Sequence, residues 1–173
     1  MKYSMQPRET EYKGNSFRSR LEARWALFFD LVGIRYRYEM GGFTLKNGML
    51  YKPDFWLPDY EIWVEIKPDK PKPKEKLKAR LLAEESRSPV YIFAGNVGAY
   101  VIYDAYQSRR LMLHECEFCG ALLFVAPEQP VTHYRDAHQR EVFADADWRP
   151  TEKLMRAYVE ARSTRFEHFE SLS

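Results

Sequence analysis

Apolar residues recur along residues 19–32 with the period of a helix. Leu21, Trp25, Phe28, Phe29 and Val32 fall at i, i+4, i+7, i+8 and i+11, and Gly33 is placed to end the run. Residues 34–40 alternate and suit a strand, which Gly41-Gly42 breaks. Residues 43–45 and 49–57 then read as a hairpin around Asn47-Gly48. Over residues 61–67 Ile62, Val64 and Ile66 face one way and Trp63, Glu65 and Lys67 the other. Pro68, Pro71 and Pro73 interrupt regular structure. A second helix over residues 74–86 is expected to bury Leu77, Leu81 and Leu82. Val90–Ala94 is a short apolar strand of the kind buried in a sheet, and residues 100–103 read as a further strand. The predicted order is helix, three strands, helix, strand. That is an α/β chain whose first three strands form a meander, with the second helix crossing over to set Val90–Ala94 beside them.

The pattern divides the chain into a flexible leader (1–16), a core (17–107), a small Cys/His module (108–145) and a C-terminal helical segment (146–173). The last helix has a modest apolar set, Leu154, Tyr158 and Ala161, which favours simple packing over a docking role. The 173 residues are 45% hydrophobic and 16% aromatic, enough for a core and against disorder. No apolar run approaches the roughly 20 residues of a membrane span, and the polar N-terminal 15 residues lack a secretion signal. A soluble, intracellular, cytoplasmic protein with no membrane partner is expected.

Net charge is only +2, but it is unevenly spread. Residues 66–80 hold seven basic side chains against Asp69 and Glu75. Lys70, Lys72 and Lys74 in that stretch suit a phosphate backbone, although a solvated loop and helix face would look the same. Arg18, Arg20 and Arg24 around the first helix, and Lys52, are further candidates for phosphate contact, each also readable as a surface cation.

The chemistry concentrates in Tyr51-Lys52-Pro53-Asp54 and Trp63-Val64-Glu65-Ile66-Lys67. Two strands would set Asp54, Glu65 and Lys67 together, and burying acids beside a base is costly unless something uses them. A hard divalent cation between Asp54 and Glu65, with Lys67 helping to orient or deprotonate a bound water, is a site for cutting phosphodiester bonds. Duller readings exist for each residue. Glu22 stands three after Ser19, as in a capping box; Asp54 suits turn chemistry; Glu65 and Lys67 could be a surface charge pair. Trp56 and Trp63 could stack on bases, but core packing suits them better.

Arg18-Ser19-Arg20-Leu21-Glu22, Pro53-Asp54 and Glu65-Ile66-Lys67 together resemble the PD-(D/E)xK nuclease superfamily, and within it the phage Holliday-junction-resolving endonucleases. Transposon end-cleaving and mismatch-nicking endonucleases share much of that core. The resemblance spans residues 17–105 and implies a restriction-endonuclease-like core. It implies Mg2+ or Mn2+ on Asp54, Glu65 and the Ile66 carbonyl, Glu22 as an additional ligand, and Lys67 near the attacking water. DNA, branched in form, is the implied substrate, and the implied setting is a phage gene in a bacterial host. Some such nucleases act as homodimers with one site per strand.

Both cysteines and two of the four histidines fall within residues 116–138 as C-x2-C-x13-H-x4-H: Cys116, Cys119, His133 and His138. Thiolates and imidazoles suit a closed, structural Zn2+ site near the spacing of Cys2His2 fingers, with Pro130 opening a helix that bears His133. Buried thiols with surface histidines are the plain alternative; His114 is a substitute ligand. Three functions compete on these residues. They are a metal-dependent endonuclease with a zinc module, a non-catalytic zinc protein that binds nucleic acid, and a C-x-x-C redox protein, which the neighbouring histidines disfavour.

Overall fold

The computed structural model describes residues 8–99, 101–116, 119–127, 131–135, 138–142 and 149–166; for 131–135 and 138–142 it describes the backbone. The chain opens with a hairpin of β1 (Thr10–Tyr12) and β2 (Asn15–Phe17). Its turn residues Lys13 and Gly14 both have positive φ, +48° and +76°, the pairing that matches the twist of hairpin strands. A loose leader through residue 16 is therefore corrected over 10–16. The Tyr12 hydroxyl donates to Asp30 at 2.9 Å, and the adjacent Phe17 is fully buried against Tyr38 and Phe55. Residues 1–7 lie outside the described residues.

Helix α1 (Arg20–Val32) forms where its period placed it. The Ser19 hydroxyl accepts the Glu22 amide at 3.2 Å, and Gly33 ends the helix at φ +77°, a left-handed conformation that costs glycine no Cβ clash. Then come β3 (Arg37–Tyr38), β4 (Phe43–Thr44), β5 (Leu50–Tyr51), β6 (Phe55–Leu57) and β7 (Ile62–Lys67). The strand expected over 34–40 shrinks to two residues. The long hairpin splits at Pro53-Asp54, so that β4 and β5 pair by themselves while β6 joins β7 and β3. Proline brings no amide donor, which favours a break in the ladder there.

Helix α2 (Pro73–Ser86) crosses from β7 to β8 (Val90–Ala94), which pairs parallel to β7 with Glu65 opposite Ile92. Leu81 and Leu82 are buried as expected. Leu77 is not; it is 47% exposed, because the buried face is built from Ala79, Leu82 and Ala83 at i, i+3 and i+4. β9 (Ile102–Asp104), β10 (Arg109–Glu115) and β11 (Leu122–Val125) complete a seven-stranded mixed sheet in the order β11-β10-β9-β8-β7-β6-β3. The sheet thus runs straight through the change of composition near Ser108.

Two cores sandwich the sheet. On one face α1 and α3 (Glu152–Ser163) pack over Phe55, Leu57, Ile62, Val64, Ile66 and Phe93. Leu154, Ala157, Tyr158 and Ala161 bury α3, and Tyr158 stacks on Phe28 with centroids 4.6 Å apart, so this helix is a packing element. On the other face α2 and the β4–β5 hairpin cover Val90 and Ile92, with Trp63 packed at the margin. β12 (Val131–Arg135) and β13 (His138–Val142) form a separate hairpin. No described helix is long and apolar enough to cross a membrane.

Candidate active site

β7 carries the site because its alternation separates two chemistries. Val64 and Ile66 go to the α1 core, while Glu65 and Lys67 go to the opposite face with Trp63. Asp54 reaches the same place from the break between β5 and β6. Its amide donates to the Val64 carbonyl at 3.0 Å, and its Oδ2 accepts the Ile66 amide at 2.6 Å. Those two bonds fix Asp54 against the strand that carries Glu65. Asp54 is 2% exposed and Glu65 7%, and the charge of Glu65 acts on Asp54.

Each carboxylate is half tied. Asp54 Oδ1 takes the Arg18 guanidinium at 2.5 Å, and Glu65 Oε1 takes the Lys67 ammonium at 2.5 Å. Glu65 Oε2 and the neighbouring Tyr51 hydroxyl are both buried, with no partner other than each other. Burial and then the charges of Glu65 and Glu22 push the Asp54 carboxyl up to about 8, against the lowering effect of the Ile66 amide and Arg18. Burial likewise raises Glu65, despite Lys67. Burial works to lower Lys67, but the Glu65, Asp54 and Glu75 carboxylates outweigh it and the net shift is upward. Lys67 is thus held charged. It can orient a water and offset negative charge, and it is poorly suited to remove a proton at neutral pH.

Glu22 points inward, 8% exposed, but both its oxygens are engaged. Oε1 accepts the Ser19 hydroxyl at 2.7 Å and Oε2 the Tyr38 hydroxyl at 2.5 Å. The helix-start role and the inward role coexist, with Glu22 adding to the field on Asp54. Among the described residues no three His, Cys, Asp or Glu side chains form a ready cation cage. Asp54 and Glu65 nevertheless fit Mg2+ or Mn2+, since magnesium commonly takes one or two carboxylates and fills its octahedron with water and substrate phosphate. The buried Glu65 Oε2, which has no cationic partner, and the clustered negative charge are what such an ion would relieve. Ile66 stands at the site through its amide.

Two contributors, Glu39 and Tyr38, had no sequence signal, and a third, Tyr51, was marked only as part of the motif segment. Glu39 lies at φ +47°, its amide on the Asp54 carbonyl at 2.8 Å, and its carboxylate pairs with both Arg18 and Lys52 at 2.5 Å. Tyr38 ties Glu22 to the Arg18 amide, which donates to its hydroxyl at 3.0 Å. Tyr51 roofs Glu65. These ties come from strand pairing remote in sequence, and no local spacing announces them.

Of the candidate phosphate contacts, Arg18 and Lys52 are at the site, and Arg20 is half-buried at the start of α1. Lys70, Lys72 and Lys74 are exposed before and in the first turn of α2, without ion-pair partners among the described residues, and next in sequence to Lys67. Trp56 and Trp63 pack on each other at 4.6 Å, with Phe43 edge-on to Trp63, which favours their structural role.

Cys116, buried, and Cys119, exposed, sit in the β10–β11 turn. The Cys116 carbonyl accepts the Gly120 amide at 2.8 Å, and Gly120 is left-handed at φ +67°. His133 and His138 do not lie on a helix. They belong to β12 and β13, paired opposite Arg140 and Arg135; the β-branched alternation of Val131-Thr132 prevails over the helix start suggested by Pro130. Their side chains, and hence the full ligand set, lie outside the described residues.

Compared with protein-family models, curated proteins and solved structures, the chain finds no match.

Proposed function

We propose that the protein is a metal-dependent endodeoxyribonuclease that hydrolyses phosphodiester bonds in DNA. The observation that carries this reading is the pair of buried carboxylates, Asp54 and Glu65, held on one strand face with a charged Lys67 between Glu65 and solvent. A sheet that served only as a scaffold would leave that pair as a cost with no return. Asp54, Glu65 and the Ile66 carbonyl would hold the ion, which when bound supplies Lewis acidity at the water and the phosphate. Lys67 orients the water and offsets the charge that builds up in the transition state. Glu22 keeps the local potential negative from behind Tyr38. Lys70, Lys72 and Lys74 receive the flanking backbone, with Arg18, Arg20 and Lys52 nearer the scissile group.

Branched DNA is the proposed substrate form, on the resemblance of the Arg-Ser-x-Leu-Glu, Pro-Asp and Glu-x-Lys motifs to junction-resolving nucleases. A structural Zn2+ on Cys116, Cys119, His133 and His138 is proposed as a clasp between the β10–β11 and β12–β13 strand pairs.

The test is cleavage of supercoiled and cruciform plasmid with Mg2+ or Mn2+ by the wild type, Glu65→Ala and Lys67→Ala. Loss of cutting with DNA binding retained supports the reading. Equal nicking by all three proteins would reveal a contaminant and leave the alternative, a zinc-containing nucleic-acid-binding protein without catalysis.

A further inference from the structure

We propose that Arg18 is a displaceable internal counter-ion: its guanidinium holds the Asp54 oxygen that a divalent cation needs, and moves to a substrate phosphate once that oxygen is taken. This rests on the nuclease reading and adds to it an order of events, in which metal loading arms the phosphate clamp.

The geometry separates a backbone anchored on Tyr38 from a half-exposed side chain held through its guanidinium by ion pairs. The Arg18 amide is fixed to the Tyr38 hydroxyl, which is fixed in turn to Glu22. The side chain is 54% exposed and reaches inward to a carboxylate that is 3% exposed. Its Nη2 meets Asp54 Oδ1, and its Nε meets Glu39, both at 2.5 Å. Asp54 cannot follow a departing guanidinium, because Oδ2 is locked on the Ile66 amide in the interior. Glu39 need not follow either, since Lys52 already neutralises it. The pairs to Asp54 and Glu39 both break, and neither acid is stranded, because the cation takes Asp54 Oδ1 and Lys52 stays on Glu39.

Charge decides the direction of exchange. A guanidinium at hydrogen-bond distance brings one delocalised positive charge, whereas Mg2+ brings two at about 2.0–2.1 Å from its oxygens. The two cations repel if both crowd Oδ1. The released guanidinium keeps its planar fork of donors, which matches two phosphate oxygens as it matched a carboxylate. A static buried ion pair would behave otherwise. Its guanidinium would then stay on Asp54 when Mg2+ is added, and losing Arg18 would leave the metal-induced gain in DNA affinity intact.

The experiment compares wild type, Arg18→Gln and Arg18→Lys, each checked for a native melting transition. Mg2+ binding is measured by calorimetry without DNA in alkaline buffer, where protons compete least for Asp54. Arg18→Gln is expected to bind Mg2+ about tenfold tighter than wild type, the equivalent of about 1.4 kcal/mol. Arg18→Lys, which keeps the charge but loses the fork, is expected to fall between them and serves if the glutamine variant does not fold. The wild-type Arg18 Nε–H resonance should shift on Mg2+ addition. With non-cleaving Ca2+, wild type should gain DNA affinity over EDTA, and Arg18→Gln should lose most of that gain. Unchanged or weaker Mg2+ affinity in both folded variants overturns the proposal while the nuclease reading stands. Absence of Mg2+ binding in wild type, or binding indifferent to Asp54→Asn, removes both.

Discussion

The Asp54–Glu65 cluster and the Cys/His hairpins are both proposed to bind metal, yet the fold treats them oppositely. The carboxylates are set by the main sheet. A backbone bond to the Val64 carbonyl and one accepted by the carboxylate from the Ile66 amide fix Asp54, and β8 and the α1 core fix the strand behind Glu65. The cysteines occupy a turn at the end of two edge-side strands, and the histidines lie on a hairpin that forms its own two-stranded sheet. A core-built site is preorganised and pays an electrostatic cost when empty. A site assembled from two hairpins costs little when empty and depends on the ion for its assembly. Removing metal should therefore relax the second region and strain the first.

The largest expected effect is on chemistry in the first region. Asp54→Asn should lower DNA cleavage by at least about a thousandfold, because one ligand and its negative charge disappear together; rates on a nicked-plasmid assay check it. Next comes the packing that supports that region. Tyr158→Ala should destabilise the protein by about 3–5 kcal/mol, the usual cost of emptying a buried aromatic site, since Tyr158 is 2% exposed and stacked on Phe28. Denaturant unfolding measures it.

The pH dependence distinguishes the two regions. The Asp54 pKa lies above its ordinary value of 3.8, near 8, so folding favours its protonated form. The stability this contributes is complete below the unfolded pKa and is lost as pH rises through the folded one. Without divalent metal the melting temperature should fall between about pH 4 and pH 8, and Mg2+ should restore more of it at the alkaline end. Asp54→Asn should flatten that slope and melt higher than wild type at alkaline pH, even though it cannot cut. Chelation of zinc, or Cys119→Ser, should leave this pH slope in place and change only the transition attributable to the hairpins. The smallest effect belongs to single substitutions of Lys70, Lys72 or Lys74. Each should weaken DNA binding a few-fold at most and reduce its salt dependence by about one charge.

Much of the first region could be read in the sequence because its signals are local. The helix period, the Ser19 and Gly33 caps, the two-residue spacing of Glu65 and Lys67, and the apolar run of Val90–Ala94 each report a single element. The site's remaining parts are non-local. Nothing near Glu39 marks it as a left-handed residue bonded to Asp54, and only the β3–β6 pairing brings Tyr38 to the acids. The second region was less legible. Arg109–Glu115 looked like the start of a separate module because composition changes there, whereas its pairing partner is β9. Pro130 suggested a helix where the backbone forms a strand. Leu77 fits a leucine spacing, but the narrow alanine-rich face of α2 leaves it outside.

The most direct test is a crystal soaked in Mn2+ and measured for anomalous scattering. The account expects one peak within coordination distance of both the Asp54 and Glu65 carboxylates, with the Arg18 side chain moved off Asp54. A well-ordered crystal with no peak there, or with a peak touching only one of the two acids, would contradict it.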